Sequence, residues 1–119
     1  MKIMVIGPGR WGSFIAWYLK KIGHEVLLYG LNGTEDFENF KKSRSNGIIT
    51  LQEDLELTDD ITRSKECDVI HVSINAQGFR NVCEELKSIG IKNKISRTIG
   101  QFSSKYFYFE KNCRCTRFW

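Results

Sequence analysis

The hydrophobic pattern changes period along the chain, and those changes divide it into elements. Lys2-Ile-Met-Val-Ile6 is a short apolar run of strand type. From residue 11 the apolar positions fall at Trp11, Phe14, Ile15, Tyr18, Leu19 and Ile22, the spacing of one helical stripe, so a helix is predicted through Ile22. Gly23 stands where a C-terminal cap belongs, and Glu25-Val-Leu-Leu-Tyr29 predicts a second buried strand. Thr34 is placed to cap a helix over residues 35–43 whose apolar contacts are Phe37 and Phe40. Asn46-Gly47 marks a turn, and residues 48–51 and 55–58 are short pieces of strand character. Asp59-Asp60 opens one helical turn through Lys65.

Residues 68–74, Asp-Val-Ile-His-Val-Ser-Ile, predict a strand buried on both faces. Residues 77–89 predict a helix with Phe79, Val82, Cys83, Leu86 and Ile89 on one side, ended by Gly90. Residues 91–95 approach another strand. Strand alternating with helix requires a mainly parallel sheet with right-handed crossovers. Beyond residue 95 neither period continues; Tyr106-Phe-Tyr-Phe109 is β-prone but defines no polar face.

The turn between the first strand and the first helix reads Gly7-Pro8-Gly9-Arg10-Trp11-Gly12. Gly-x-Gly-x-x-Gly is informative only where a strand precedes it and a helix follows, which is its setting here. Gly7 permits the tight turn, Gly9 leaves room for a pyrophosphate, and Gly12 lets the helix lie close on the sheet. The first helical turn offers unpaired N–H groups to an anion. The fold class is therefore α/β: a Rossmann-like doubly wound sheet, incomplete on its C-terminal side, with a dinucleotide as its ligand.

Composition changes this picture in one place. The chain of 119 residues has a net charge of +4, yet residues 1–95 hold 13 basic and 13 acidic side chains. Residues 96–119 hold five basic side chains against one acid, and seven of the 15 aromatic residues. The basic excess thus lies outside the unit that carries the motif, which argues against a nucleic-acid partner. The domain expectation is a dinucleotide-binding unit over residues 1–95 and an irregular tail over 96–119. Cysteines at 67, 83, 113 and 115 form no CxxC pair and are expected as reduced thiols of a cytoplasmic protein. Cys113 and Cys115 cannot fill a tetrahedral metal site, so no metal is expected. No segment approaches the roughly 18 apolar residues of a membrane span.

The run from Ile6 to Ser13, with Lys21-Ile-Gly-His-Glu-Val26 and Leu28-Tyr-Gly30, resembles NAD(P)-dependent glycerol-3-phosphate dehydrogenase. The Trp11-Gly12 pair and the Gly-His-x-Val turn are more particular than the glycine motif alone, and Ser73-Ile-Asn-Ala-Gln77-Gly-Phe-Arg80 is similar to a further family segment. The likeness covers about residues 1–95. It implies NAD or NADP as cofactor, and cofactor contacts from Gly7, Pro8, Gly9, Arg10, Trp11, Gly12 and Gln77. It further implies reduction of dihydroxyacetone phosphate to glycerol 3-phosphate, a step that feeds phospholipid synthesis.

Departures accompany the likeness. Leu31 stands where the family has a basic residue, and Gly30 supplies no acid, so NAD and NADP are not distinguished. Asn75 and Ala76 replace the family's proline and serine. After Ile95 the Lys-Gly motif and the helical substrate domain are missing, and the tail resembles a frame-shifted reading. No catalytic residue is assigned, and this chain alone is expected to be inactive. Two other functions suit the same motif: a stand-alone dinucleotide-binding or regulatory module, or the cofactor domain of another Rossmann dehydrogenase.

Trp11 is weighed as cofactor contact or core, and His71 as a neutral core histidine rather than a base. Lys41, Lys42 and Arg44 are weighed as attractors of a 2′-phosphate against a plain solvated helix face. Without later strands, the strand over 68–74 would present an open edge. Self-association through it is expected unless residues 106–109 pair there.

Overall fold

Five parallel strands carry the fold in the computed structural model, which describes residues 1–74, 76–91, 95–97, 106–109 and 115–118. They are β1 (Lys2–Ile6), β2 (Glu25–Tyr29), β3 (Glu56–Thr58), β4 (Val69–Val72) and β5 (Ile95–Arg97), in spatial order β3-β2-β1-β4-β5. The helices are α1 (Arg10–Lys21), α2 (Glu35–Ser43) and α3 (Ala76–Ser88), with a 3₁₀ helix over Ile61–Glu66. A separate antiparallel pair joins β6 (Tyr106–Phe109) to β7 (Cys115–Phe118). The order turns back at β1, whose neighbours are β2 on one side and β4 on the other.

Alternation along the strands feeds two cores. Met4, Ile6, Leu27, Tyr29, Ile70 and Val72 face α3 and meet Phe79, Cys83 and Leu86. Ile3, Val5, Val26 and Leu28 face the other way and meet Ala16 of α1 and Phe40 of α2. Both faces of β1 and β2 are thus covered, which is why their sequences are almost continuously apolar. β4 is not covered equally: Ile70 and Val72 are buried, but Val69 and His71 are only half-buried. The expectation of full burial on both faces is corrected there, since α1 and α2 build the second core over β1 and β2.

The stripe on α1 is a second correction. Trp11, Phe14, Tyr18 and Ile22 are 51%, 44%, 50% and 52% exposed, while the residues buried against the sheet are Gly12, Ser13 and Ala16. Small residues allow the helix axis to approach the strands closely, and the bulky side chains are displaced to its outer side. Ile15, Trp17 and Leu19 pack along the margins of the core. Outside, Trp11 and Phe14 meet edge to face at 6.5 Å, and Lys21 lies over the Trp17 ring at 4.9 Å.

Other differences are local. Residues 48–51 form no strand; Ser45 and Thr50 make one bridge, and Leu51 and Leu55 turn into the second core. Thr34 stands at the N-cap of α2, but its hydroxyl donates to the Leu31 carbonyl at 2.7 Å instead of accepting from the helix. The β4 edge is paired by β5, with Ile70 opposite Ile95, and residues 106–109 pair with β7. Residues 96–119, aperiodic in sequence, therefore supply most of β5 and the whole of β6 and β7.

Candidate functional site

The turn from β1 into α1 lies at the carboxyl end of the sheet, beside the point where the strand order reverses. Backbone bonds fix it on both sides. The Gly7 N–H donates to the Tyr29 carbonyl at 3.1 Å, and the Ser73 N–H donates to the Ile6 carbonyl at 2.8 Å. Gly7 has φ +116°, and a Cβ there would run into the Ser73 carbonyl and the Ile74 side chain. A Cβ on Gly12 would overlap the Gly7 carbonyl oxygen. Both glycines are thus required by the protein's own packing. Gly9 differs, because a Cβ there would meet nothing within 4 Å.

Gly9 is also the N-cap of α1, and no side chain caps the helix. The first N–H groups of a helix have no partner within it, and α1 has no acid in its first turn to repel an anion. Ser13 Oγ donates back to the Gly9 carbonyl at 2.7 Å and the Arg10 carbonyl at 3.1 Å, and Asn46 Nδ2 donates to Ser13 Oγ at 3.3 Å. Spacing could not reveal Asn46, 33 positions away; Ser13 was visible only as the residue after the motif. Of the three motif glycines, Gly9 alone has open space where a side chain would stand, beside the uncapped amino end of α1. Those features suit a diphosphate.

The structure brings Gly7, Pro8, Gly9, Arg10, Trp11 and Gly12 together in this turn. Trp11 is exposed rather than core, and Arg10 is exposed in the first helical turn. Gln77 lies in the first turn of α3, after β4; its side chain falls outside the described residues. At the end of β2, burial first and then the charges of Glu85, Asp59 and Asp60 raise the Tyr29 hydroxyl above its ordinary value. No group of three or more His, Cys, Asp or Glu side chains suited to a metal occurs among the described residues. Nor is any helix among them long and apolar enough to cross a membrane.

His71, half-buried in β4, is held below the usual imidazole value by desolvation. The folded chain therefore disfavours the proton that the unfolded chain accepts near 6.5. This contribution to stability is present above that value and is lost as pH falls through it toward the folded value. Urea midpoints should decline from about pH 7.5 to about pH 5, and His71→Leu should flatten that slope. An unchanged slope in the variant would assign the decline to other groups.

A parallel sheet in the order 3-2-1-4-5, with a glycine turn entering a helix at the switch point, defines a dinucleotide-binding domain of the doubly wound class. Two solved structures share the fold. A 3-hydroxybutyryl-CoA dehydrogenase from Escherichia coli K12 superposes with TM-score 0.62 at 19% identity, over 88% of this chain and 25% of that one. A diketoreductase superposes with TM-score 0.61 at 16% identity, over 85% and 41%. Residues 2–99 match the family described as NAD-dependent glycerol-3-phosphate dehydrogenase N-terminus, and the chain belongs to that family.

Curated relatives agree with this placement. A glycerol-3-phosphate dehydrogenase [NAD(P)+] of Fusobacterium nucleatum subsp. nucleatum is 32% identical over 100 residues, covering 80% of this chain and 30% of the relative. One of Thermoanaerobacter sp. (strain X514) is 28% identical over 99 residues, with the same shares. The chain thus spans about 30% of the length of these relatives.

Proposed function

We propose that this chain binds NAD or NADP, with the pyrophosphate seated over Gly9 against the amino end of α1. Gly7, Pro8, Arg10, Trp11 and Gly12 frame the turn, and Gln77, in the first turn of α3, is taken as a further cofactor contact on the family resemblance. The observation that carries this is the contrast among three glycines. The fold itself accounts for Gly7 and Gly12, whereas at Gly9 only a ligand benefits from the missing side chain. In the enzyme that this domain serves, the cofactor supplies hydride for reducing dihydroxyacetone phosphate to glycerol 3-phosphate. The protein's task is to orient and polarise the carbonyl. No side chain of residues 1–119 is assigned to that polarisation, so the chain alone is inactive.

The same reading takes residues 1–95 as the cofactor unit and the protein as cytoplasmic. Any self-association runs through the β3 or β5 edge of the sheet. Titration of the purified chain with NADH and NADPH, followed by nicotinamide fluorescence, should show saturable one-to-one uptake and no oxidation of either on adding dihydroxyacetone phosphate. Folded protein that takes up neither nucleotide overturns the binding. Measurable turnover overturns the inactivity.

A further inference from the structure

Ser13 and Asn46 meet although 33 positions separate them, and neither belongs to the glycine motif. Ser13 is fully buried in the first turn of α1, and its hydroxyl has one proton to give. That proton faces the Gly9 carbonyl at 2.7 Å and the Arg10 carbonyl at 3.1 Å. The Ser13 N–H donates to the Gly9 carbonyl as well, at 2.9 Å. A trans peptide is planar, with its N–H opposite its C=O. Drawing the Gly9 and Arg10 carbonyls toward the helix therefore turns the Arg10 and Trp11 N–H groups outward at its amino end, beside the open position at Gly9.

Asn46 decides where the Ser13 proton goes. Its Oδ1 accepts from the Ile48 and Ile49 N–H groups at 3.0 and 2.9 Å, which fixes the amide with Nδ2 toward Ser13 Oγ at 3.3 Å. An amide nitrogen only donates, so Ser13 Oγ must accept there and keep its own proton for the two carbonyls.

The turn that carries Asn46 has anchors of its own. Arg44 donates through Nη2 to the carbonyls of Gln52 and, at 2.6 Å, Leu55. The Leu51 N–H donates to the Arg44 carbonyl at 2.8 Å. Gln52 Nε2 donates to the Trp17 carbonyl of α1 at 3.1 Å, so this segment is tied to the helix at a second point.

We infer that Asn46 is a positioning residue of the dinucleotide site: acting through the Ser13 hydroxyl, it aims the Arg10 and Trp11 N–H groups at the pyrophosphate. This deepens the dinucleotide reading above and rests on it.

Titrations of the full chain and its variants with NADH, followed by nicotinamide fluorescence, test this. Asn46→Asp keeps both acceptors for the Ile48 and Ile49 N–H groups but turns an oxygen toward Ser13, which draws the hydroxyl proton away from Gly9. It should weaken NADH binding roughly tenfold while the urea midpoint stays close to that of the wild type. Asn46→Ala and Ser13→Ala should each weaken binding about fivefold, and the double variant no more than Ser13→Ala alone, because one residue acts through the other. Wild-type affinity in folded Asn46→Asp overturns the inference, as does a double variant whose losses multiply. A lowered urea midpoint with unchanged NADH affinity assigns Asn46 to the turn alone and overturns it too. If the folded wild-type chain takes up no NADH, the dinucleotide reading itself fails, and this inference with it.

Discussion

Gly9→Val is expected to abolish NADH uptake while leaving the fold in place. The Gly9 backbone has φ −71° and ψ −171°, an extended conformation open to any residue, and the added methyl groups would meet no protein atom within 4 Å of the new Cβ position. Glycine is a tolerable N-cap and valine a poor one, so the cost to stability should be about 1 kcal/mol or less. For the ligand the change is severe, because the side chain would stand where the proposed pyrophosphate meets the first N–H groups of α1. Loss of one or two charge-assisted hydrogen bonds corresponds to roughly a hundredfold in affinity. Nicotinamide fluorescence reads the binding, and urea unfolding followed by circular dichroism reads the fold. Wild-type affinity in a folded variant would mean that the pyrophosphate does not sit at Gly9.

This pair of measurements separates what the sequence made legible from what it did not. The β1-turn-α1-β2 unit was legible because strand run, glycine spacing and helical period all fall within 29 residues, and each constrains the next. β1, β2 and α2 lie where the pattern places them. The outward turn of Trp11, Phe14, Tyr18 and Ile22 was not legible. Hydrophobic period gives the existence of a helix, but the side that packs is decided by how closely the backbone can approach. Gly12, Ser13 and Ala16 won that competition by being small.

The tie between Asn46 and Ser13 was invisible for another reason. It joins the turn after α2 to the first turn of α1, 33 residues away, and no local period reports such a contact. In the same way Arg44, a candidate phosphate attractor by charge alone, is turned inward by a left-handed backbone at φ +62° that ends α2. Charge read along a sequence does not say which cations are already engaged.

Gly12→Ala should be as damaging to stability as Gly9→Val is to binding. Gly12 is buried in the first turn of α1, and the ideal Cβ position coincides with the carbonyl of Gly7, with Ser73 Cβ a further 3.5 Å neighbour. Gly7 cannot yield. Its N–H is bound to the Tyr29 carbonyl, its φ of +116° is one that other residues rarely adopt, and a Cβ there would strike the Ser73 carbonyl. The helix must therefore lift from the sheet, opening the contact of Ala16 with the core over Val5 and Leu28. Overpacking by one methylene costs about 1–3 kcal/mol where side chains can adjust, and the upper end or beyond applies where backbone is struck. Against a total of about 5–15 kcal/mol, such a loss should lower the urea midpoint sharply. Alanine normally favours a helix interior over glycine by nearly 1 kcal/mol, so intrinsic propensity predicts the opposite sign. A stabilised Gly12→Ala would show that α1 stands further from the turn than described. The proposed pyrophosphate seat at Gly9 would then lose the wall that gives it shape.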